Sequence, residues 1–513
     1  MSFKIRLFFS LFIFSQIASA QHWLGISSSN YAGTNGVFLN PSSIVDSRFK
    51  MYINLAGNDL FINNNYLSYN APYSFLGLIT STVPSKYRNE QRLIIWKDAY
   101  YKENLNGKPK DIHVGGDMRG PSFLFTSKNN KYAFGLTTRG RYQLDLTNVS
   151  EQTARVIRFG TDPPELQNVA YKNQQAELSV NGFVEIGATF GMVLKDDEED
   201  FWKAGITVKR MIGMFNTHAN LIDGNYSIIP LIVPENREII YATSMKAVYG
   251  ITSDEALKIR PTPSWIFGNA PAGSGWGMDL GISYEYRPDI REYKLNTAHG
   301  GGERYNDPKR NKYKYRISAA LNDIGSIRYN NPNLVTEFNI ERSNVTFSYL
   351  QFDRKSNPAA AVGAVNTTLN LRPSENFKAF KVMLPTTANV SFDYFYKANW
   401  YVNALWIQGL RGNSYLNISP QSVIAVTPRY EKKWLEVSLP ISLYNNYSSL
   451  GLGIGARVGP VILGSDNLAG LLNIGKPRGL DFYFGIYAPI FHSKPKSPNP
   501  CYVQPPSEKP KRK

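Results

Sequence analysis

Nine charged residues carry the clearest chemical signal in the sequence, because they fall on one parity of otherwise apolar runs. Arg139, Arg141 and Asp145 interleave with Tyr142, Leu144 and Leu146. Glu185 stands between Val184 and Ile186, and Lys203 and Lys209 alternate with Trp202, Ala204, Ile206 and Val208. Asp279 and Glu285 alternate with Met278, Leu280, Ile282, Tyr284 and Tyr286, and Arg457 lies between Ala456 and Val458. Successive side chains of a strand point to opposite faces, so each run has one greasy and one charged face. Charges on the inside of a closed sheet can attract a charged solute, or neutralise one another in a filled interior. Both readings stand at the level of sequence. If the inward positions stay hydrated, Glu185→Gln is expected to be tolerated, whereas Ile186→Arg or Phe190→Arg would place a cation against lipid at about 2–4 kcal/mol.

Catalytic and metal chemistry finds no motif. The five histidines, His22, His113, His218, His299 and His492, form no H-E-x-x-H, and no G-x-S-x-G occurs. Gly273-Ser274-Gly275-Trp276-Gly277 lacks the Lys-Ser/Thr of a phosphate cradle and reads as a mobile loop entering a barrel. Asp196-Asp197-Glu198-Glu199-Asp200 reads as a solvated turn. The only cysteine, Cys501, permits neither an intrachain disulfide nor a cysteine metal site. The expectation is no catalytic residue, no cofactor and no metal.

The elements that position the charges are strands longer than globular proteins use. Tyr132 to Leu146 alternates over about 15 residues, against about 5–6 for an ordinary strand and about 9–11 for a transmembrane one. Val184–Leu194, Trp202–Met214, Met278–Tyr286, Leu435–Leu443 and Leu452–Val458 repeat the pattern. Further strands are expected over 50–65, 111–127, 225–250, 312–330, 335–349, 383–396, 400–411, 421–430 and 479–491. Their parity is unsettled through 217–250 and 330–350. Interruptions fall at 66–110, with a short helix around Glu90 to Glu103, and at 147–175, 251–275, 288–311 and 351–381. Asn129-Asn130, Lys397-Ala398-Asn399 and Glu431-Lys432-Lys433 are turns, and Tyr284, Tyr286, Trp434 and Tyr444 suit interfacial girdles. These features predict an all-β fold, a transmembrane antiparallel β-barrel of about 14 strands (12–16) with an N-terminal lumen plug.

The N-terminus carries Lys4 and Arg6, an apolar Leu7–Ile17 stretch and Ala18-Ser19-Ala20, the pattern of a cleaved export signal. The expected organisation is signal peptide 1–20, plug segment 21–49, barrel 50–491 and a basic, proline-rich periplasmic tail 492–513. In the plug segment Asn35, Gly36, Asn40, Pro41 and Ser42 are the residues of interest. They are too irregular for a strand, yet Val37, Phe38, Leu39 and Ile44 beside them call for packing. Formal charge is +17. In an exported chain this points to outer-membrane lipid and lipopolysaccharide phosphates, or an acidic envelope protein, and away from nucleic acid.

Asn40-Pro41-Ser42 resembles the Asn-Pro-Ala hatch segment of FadL-type fatty-acid transporters and of related Bacteroidetes secretion components. Here Ser42 replaces the common Ala. Asp323-Ile324-Gly325, Gly459-Pro460-Val461, Gly464-Ser465-Asp466-Asn467-Leu468 and Asp481-Phe482-Tyr483-Phe484-Gly485-Ile486 resemble the same wider group. The likeness is strongest to a Bacteroidetes family of outer-membrane β-barrels catalogued as a domain of unknown function. The resemblance implies a bacterial outer-membrane location and a plugged channel for small or hydrophobic solutes. The alternative it implies is a structural or docking barrel of a surface secretion or assembly complex.

Overall fold

The computed structural model describes residues 23–492 apart from 162, 231–237, 254, 260–261, 269–271, 296–304, 349–362, 364, 372–378 and 413. The signal-peptide reading, His22, His299 and the tail beyond His492 lie outside the described residues. Twenty strands form one sheet. In chain order they are β1 Phe49–Asn64, β2 Lys110–Arg119, β3 Ser122–Thr126, β4 Tyr132–Val149 and β5 Ala170–Asp197. Next come β6 Asp200–Pro230, β7 Glu238–Thr252, β8 Gly273–Tyr286, β9 Tyr315–Tyr329 and β10 Val335–Ser348. Then follow β11 Phe380–Met383, β12 Thr387–Lys397, β13 Trp400–Gly409, β14 Val423–Glu431 and β15 Leu435–Ser438. The last are β16 Ile441–Tyr444, β17 Ser449–Leu452, β18 Ile454–Val458, β19 Val461–Ser465 and β20 Gly479–Phe491.

The pairing closes on itself. β1 pairs antiparallel with β20 from Phe49↔Phe491 to Asn63↔Gly479, so no sheet edge is left at the seam. With β7 and β10 set aside as lying outside the ring, and β2/β3, β11/β12, β15/β16 and β17/β18 each counted as one wall position, the closed antiparallel barrel has 14 strands. The breaks inside those paired segments have sequence causes. Pro121 separates β2 from β3 and Pro440 separates β15 from β16, and proline cannot donate to the ladder. The expected single strands 111–127 and 435–443 are therefore each two.

Side-chain alternation sorts the wall. On β4, Phe134 is 56% exposed on the outer face while Arg139 is 5% exposed on the inner one. Trp276, Ile282, Ile424, Val426, Leu435, Ile441, Phe484 and Ile486 also lie on the exposed outer face. No helix among the described residues is long and apolar enough to cross a membrane.

Tight turns cluster at one end, at 127–131, 198–199, 398–399 and 459–460, beside the start of β1 and the end of β20. Most longer connections lie at the other end. The 287–314 connection sits at the turn end. β5 and β6, of 28 and 31 residues, outrun the wall. β6 pairs with β8 from Asp200 to Gly213, then changes partner to β7 from Thr217 to Pro230. β7 in turn pairs with β10. A four-stranded extension β5–β6–β7–β10 thus carries on from the barrel, and Leu369 packs on its Phe338 and Ile340.

Several local expectations are corrected. The 225–250 strand is the end of β6, to Pro230, plus β7 from Glu238, and the two pair antiparallel with each other. The 335–349 strand forms, but outside the ring. Residues 90–103 hold no α-helix; Ile94, Trp96, Tyr100 and Tyr101 instead pack against an aromatic cluster around Tyr69 and Tyr73. A helix at Glu151–Phe159 occupies part of the 147–175 interruption. Gly273–Gly277 is the start of β8 rather than a loop. Its Gly273 and Gly275 allow β9 to approach closely, since a Cβ on either would meet the Arg328 and Ser326 carbonyl oxygens. Tyr444 faces inward, where its hydroxyl accepts from Asn467 Nδ2 at 3.0 Å, so it belongs to no girdle.

Candidate functional site

Residues 23–48 are mostly buried and pack against inward-facing residues of the sheet. The local conformation follows from Asn40-Pro41-Ser42. Asn40 Oδ1 accepts from Ser42 N at 2.8 Å and from Ser42 Oγ at 2.7 Å. That caps a short 3₁₀ turn, Pro41–Ile44, with proline at its first position, where no N–H is needed. The same residues grip the wall. Asn40 Nδ2 donates to Ile282 O and Ala319 O, at 3.2 and 3.1 Å. Ser42 Oγ lies 2.6 Å from Ser283 Oγ, a bond that the alanine common at this position in the hatch motif could not make. Asn35 Oδ1 accepts from Arg119 Nη1 at 2.8 Å. The Gly36 carbonyl turns the chain by accepting from Leu39 N and Asn40 N. From the wall, Asn322 and Asn389 donate to the Phe38 and Leu39 carbonyls.

The wall is moulded to this segment by inward glycines. A Cβ on Gly205 would stand 2.5 Å from the Pro41 carbonyl group. Added to Gly281 it would collide with Asn40, and added to Gly191 with Ile44 and Val45. Gly57 and Gly485 leave room for Trp23, which is fully buried and stacks on Tyr483 at 5.1 Å. Arg119 lies over the Trp23 ring at 4.0 Å, and Arg139 over Phe38 at 4.3 Å, so segment and wall also share cation–π contacts.

The nine sequence-predicted charges all face the interior and are buried; eight are ion-paired, and Asp145 hydrogen-bonds His113. In the middle of the barrel Arg139 holds Glu185 through one nitrogen at 2.9 and 3.0 Å. Arg141 bonds Asp323 at 2.9 Å, and Lys209 bonds Asp279 at 2.7 Å and Asp323 at 2.6 Å. Asp117 accepts from Arg119 and Arg139. Four cations (Arg119, Arg139, Arg141, Lys209) thus face four anions (Asp117, Glu185, Asp279, Asp323). Asp145 pairs with His113 at 2.7 Å, and Arg457 with Glu436 at 3.0 Å. The expectation of hydrated inward positions fails at Glu185, which is 1% exposed.

Sequence reading missed Asp117 and Arg119, although both lie on the inward parity of an expected strand. It also missed the Arg429–Asp393 pair, bonded twice at 2.7 Å. Asp323 was noted only as part of a motif. It sits at a bulge where the register shifts between Met278 and Leu280, with φ 55°, a left-handed conformation Asp tolerates better than most residues. The bulge aims its carboxylate at Arg141 and Lys209.

At the turn end the balance differs. Arg48, Lys203, Arg287 and Lys312 share two carboxylates, Asp46 and Glu285. Burial works to raise the Asp46 carboxyl, but Arg48, Lys312 and Arg287 together hold it well below the usual range. Burial, with Arg48 beside it, pulls the Lys312 ammonium down to about 7. Near the loop end Asp466 accepts from Leu24 N at 2.9 Å, and burial pushes it up to about 7. Among the described residues no group of three or more His, Cys, Asp or Glu side chains converges as a metal site.

No curated protein matches the chain. Solved structures similar to it include the Ralstonia pickettii toluene transporter TbuX, at 10% identity and TM-score 0.37, covering 93% of this chain and 100% of that one. The Pseudomonas putida toluene transporter TodX matches at 9% identity and TM-score 0.36, covering 92% and 96%. A Pseudomonas aeruginosa FadL homologue matches at 9% identity and TM-score 0.29, covering 89% and 94%. Likeness at this level carries no solute or mechanism to the chain. The model of a family of unknown function, DUF5723, matches residues 41–466, most of the chain, and the protein belongs to that family.

Proposed function

We propose that the protein is an outer-membrane β-barrel whose interior is plugged by residues 23–48, and that it is a channel for small or hydrophobic solutes when that segment moves. The observation that carries the reading is the run of inward glycines, Gly57, Gly191, Gly205, Gly281 and Gly485, shaped around Trp23, Asn40, Pro41 and Val45. A wall meant only to be filled could use its own side chains. This one leaves them out where the segment lies. The apolar outer face and closed ladder suit a bilayer, which offers no partner to an open sheet edge. By the usual asymmetry of such barrels the tight turns face the periplasm and the long connections face outside.

Planar-bilayer recordings test the reading. The full chain should be silent or flicker only briefly, and a chain lacking 23–48 should give stable conductance steps. A heat-modifiable deletion barrel that stays silent would count against a channel.

A second reading is a docking barrel in a surface assembly. The β5–β6–β7–β10 extension favours it, because it presents Glu341 to Asn344 to solvent well away from the wall. Crosslinked pull-down from native membranes separates the two. A stoichiometric partner lost when the extension is shortened supports docking, and recovery as a lone barrel opposes it.

A further inference from the structure

A cavity of about 50 Å³ lies at the turn end between the N-terminal segment and the wall. Its lining includes Ser28, Ser43, Arg48, Lys203, Lys312 and Arg316. Two of its features find no complement among the described residues. The Ser28 and Ser43 hydroxyls are buried without a hydrogen-bond partner, as is Arg287 Nη1 nearby. A buried polar group left without a partner is unfavourable, so each of these calls for one. The charge is also unbalanced. Arg316 is matched by Asp393, which it meets at 3.1 Å. Among the described residues, however, Arg48, Lys203, Arg287 and Lys312 share Asp46 and Glu285 alone, a surplus of two buried positive charges. Backbone carbonyls of Val45, Pro308 and Arg310 soften the imbalance without cancelling it. An uncompensated buried charge either loses its proton or acquires a counter-ion.

We propose that this cavity binds one small tetrahedral oxyanion, of phosphate or sulfate size, between the N-terminal segment and the barrel wall. Ser28 and Ser43 supply hydroxyl donors. Lys312 supplies a charged one, because its present contacts to Asp46 and Arg310 O are long, at 3.2–3.3 Å, and one can be exchanged for the anion. Lys203 and Arg48 supply the surrounding field. The volume holds the equivalent of a few waters, which admits a single oxyanion and excludes a nucleotide or a sugar phosphate. An anion would touch the segment through Ser28 and Ser43 and the barrel through Lys312, so it would hold one against the other. The binding claim does not depend on whether the barrel conducts.

The test is calorimetric titration of inorganic phosphate into the folded full chain in detergent, with chloride as the background anion. Saturable binding of one phosphate per chain is expected. Ser43→Val, which fills the cavity and removes a donor, should abolish it, and Lys312→Gln should weaken it roughly tenfold or more. Both variants must remain heat-modifiable. If either fails to fold, Ser28→Ala replaces it, with a smaller expected loss. Absence of saturable binding to the wild-type chain, or binding unchanged in the folded variants, would overturn the proposal.

Discussion

The middle of the barrel and its turn end use the same side chains to different effect. In the middle, four cations meet four anions, each paired with at least one opposite charge. At the turn end four cations share two anions, and Lys312 is left poised to lose its proton near neutral pH. The balanced set lies along strands whose alternation fixes which residues meet. The unbalanced set is assembled from the N-terminal segment, two strand ends and the 287–314 connection. A ladder can match charge to charge, whereas a junction of four separate pieces can leave a remainder for something else to fill.

The largest expected effect is in the balanced region. Glu185→Gln leaves Arg139 with Asp117 alone, at 3.3 Å, and weakens the hold on Arg141 and Lys209, and should cost about 3–5 kcal/mol. Urea unfolding of the barrel in detergent or vesicles measures it, and a loss below about 1 kcal/mol would mean the middle is wetter than its burial implies. Asp279→Asn should cost less, about 1–3 kcal/mol, because Lys209 keeps Asp323 at 2.6 Å. At the turn end the sign should reverse. Lys312→Met removes one surplus cation and should be stabilising at pH 7. A loss as large as that of Glu185→Gln would erase the contrast between the regions.

A further contrast is the pH dependence that Lys312 brings. Unfolded, it holds its proton up to its ordinary value of 10.5; folded, it releases it near 7. In that window the unfolded chain binds more protons, so the Lys312 contribution makes stability rise with pH from about 7 toward 10.5. The difference in unfolding midpoint between wild type and Lys312→Met should therefore narrow as pH increases. A difference that stays constant would mean Lys312 titrates normally.

Much of this was legible in the sequence. Tyr132 to Leu146 states its two faces by parity alone, and all nine charged positions chosen that way point inward. Gly479–Phe491 was placed to the residue because apolar and polar positions alternate without a proline break up to Pro489, near its end. Partnership was not legible. Arg141 meets Asp323 across 182 residues, and only closure of the sheet decides that. The change of partner along β6 was also hidden, since Asn216 and His218 continue the strand pattern while the neighbour on one side changes. The turn-end cluster was legible only in Lys203 and Glu285, for a further reason. Asp46, Arg48 and Lys312 lie in irregular chain, where no period says which way a side chain points.

The central claim is that residues 23–48 sit against the inner wall in the folded barrel. Ser42 Oγ and Ser283 Oγ are 2.6 Å apart, and the chain's only cysteine is Cys501. Ser42→Cys with Ser283→Cys, in a Cys501→Ser background, offers a direct measurement: oxidation in intact outer membranes followed by mass analysis of the linked peptides. The account predicts near-complete crosslinking between positions 42 and 283, and silent bilayer recordings that begin to show openings when the link is reduced. Two free thiols after oxidation of a heat-modifiable barrel would contradict it.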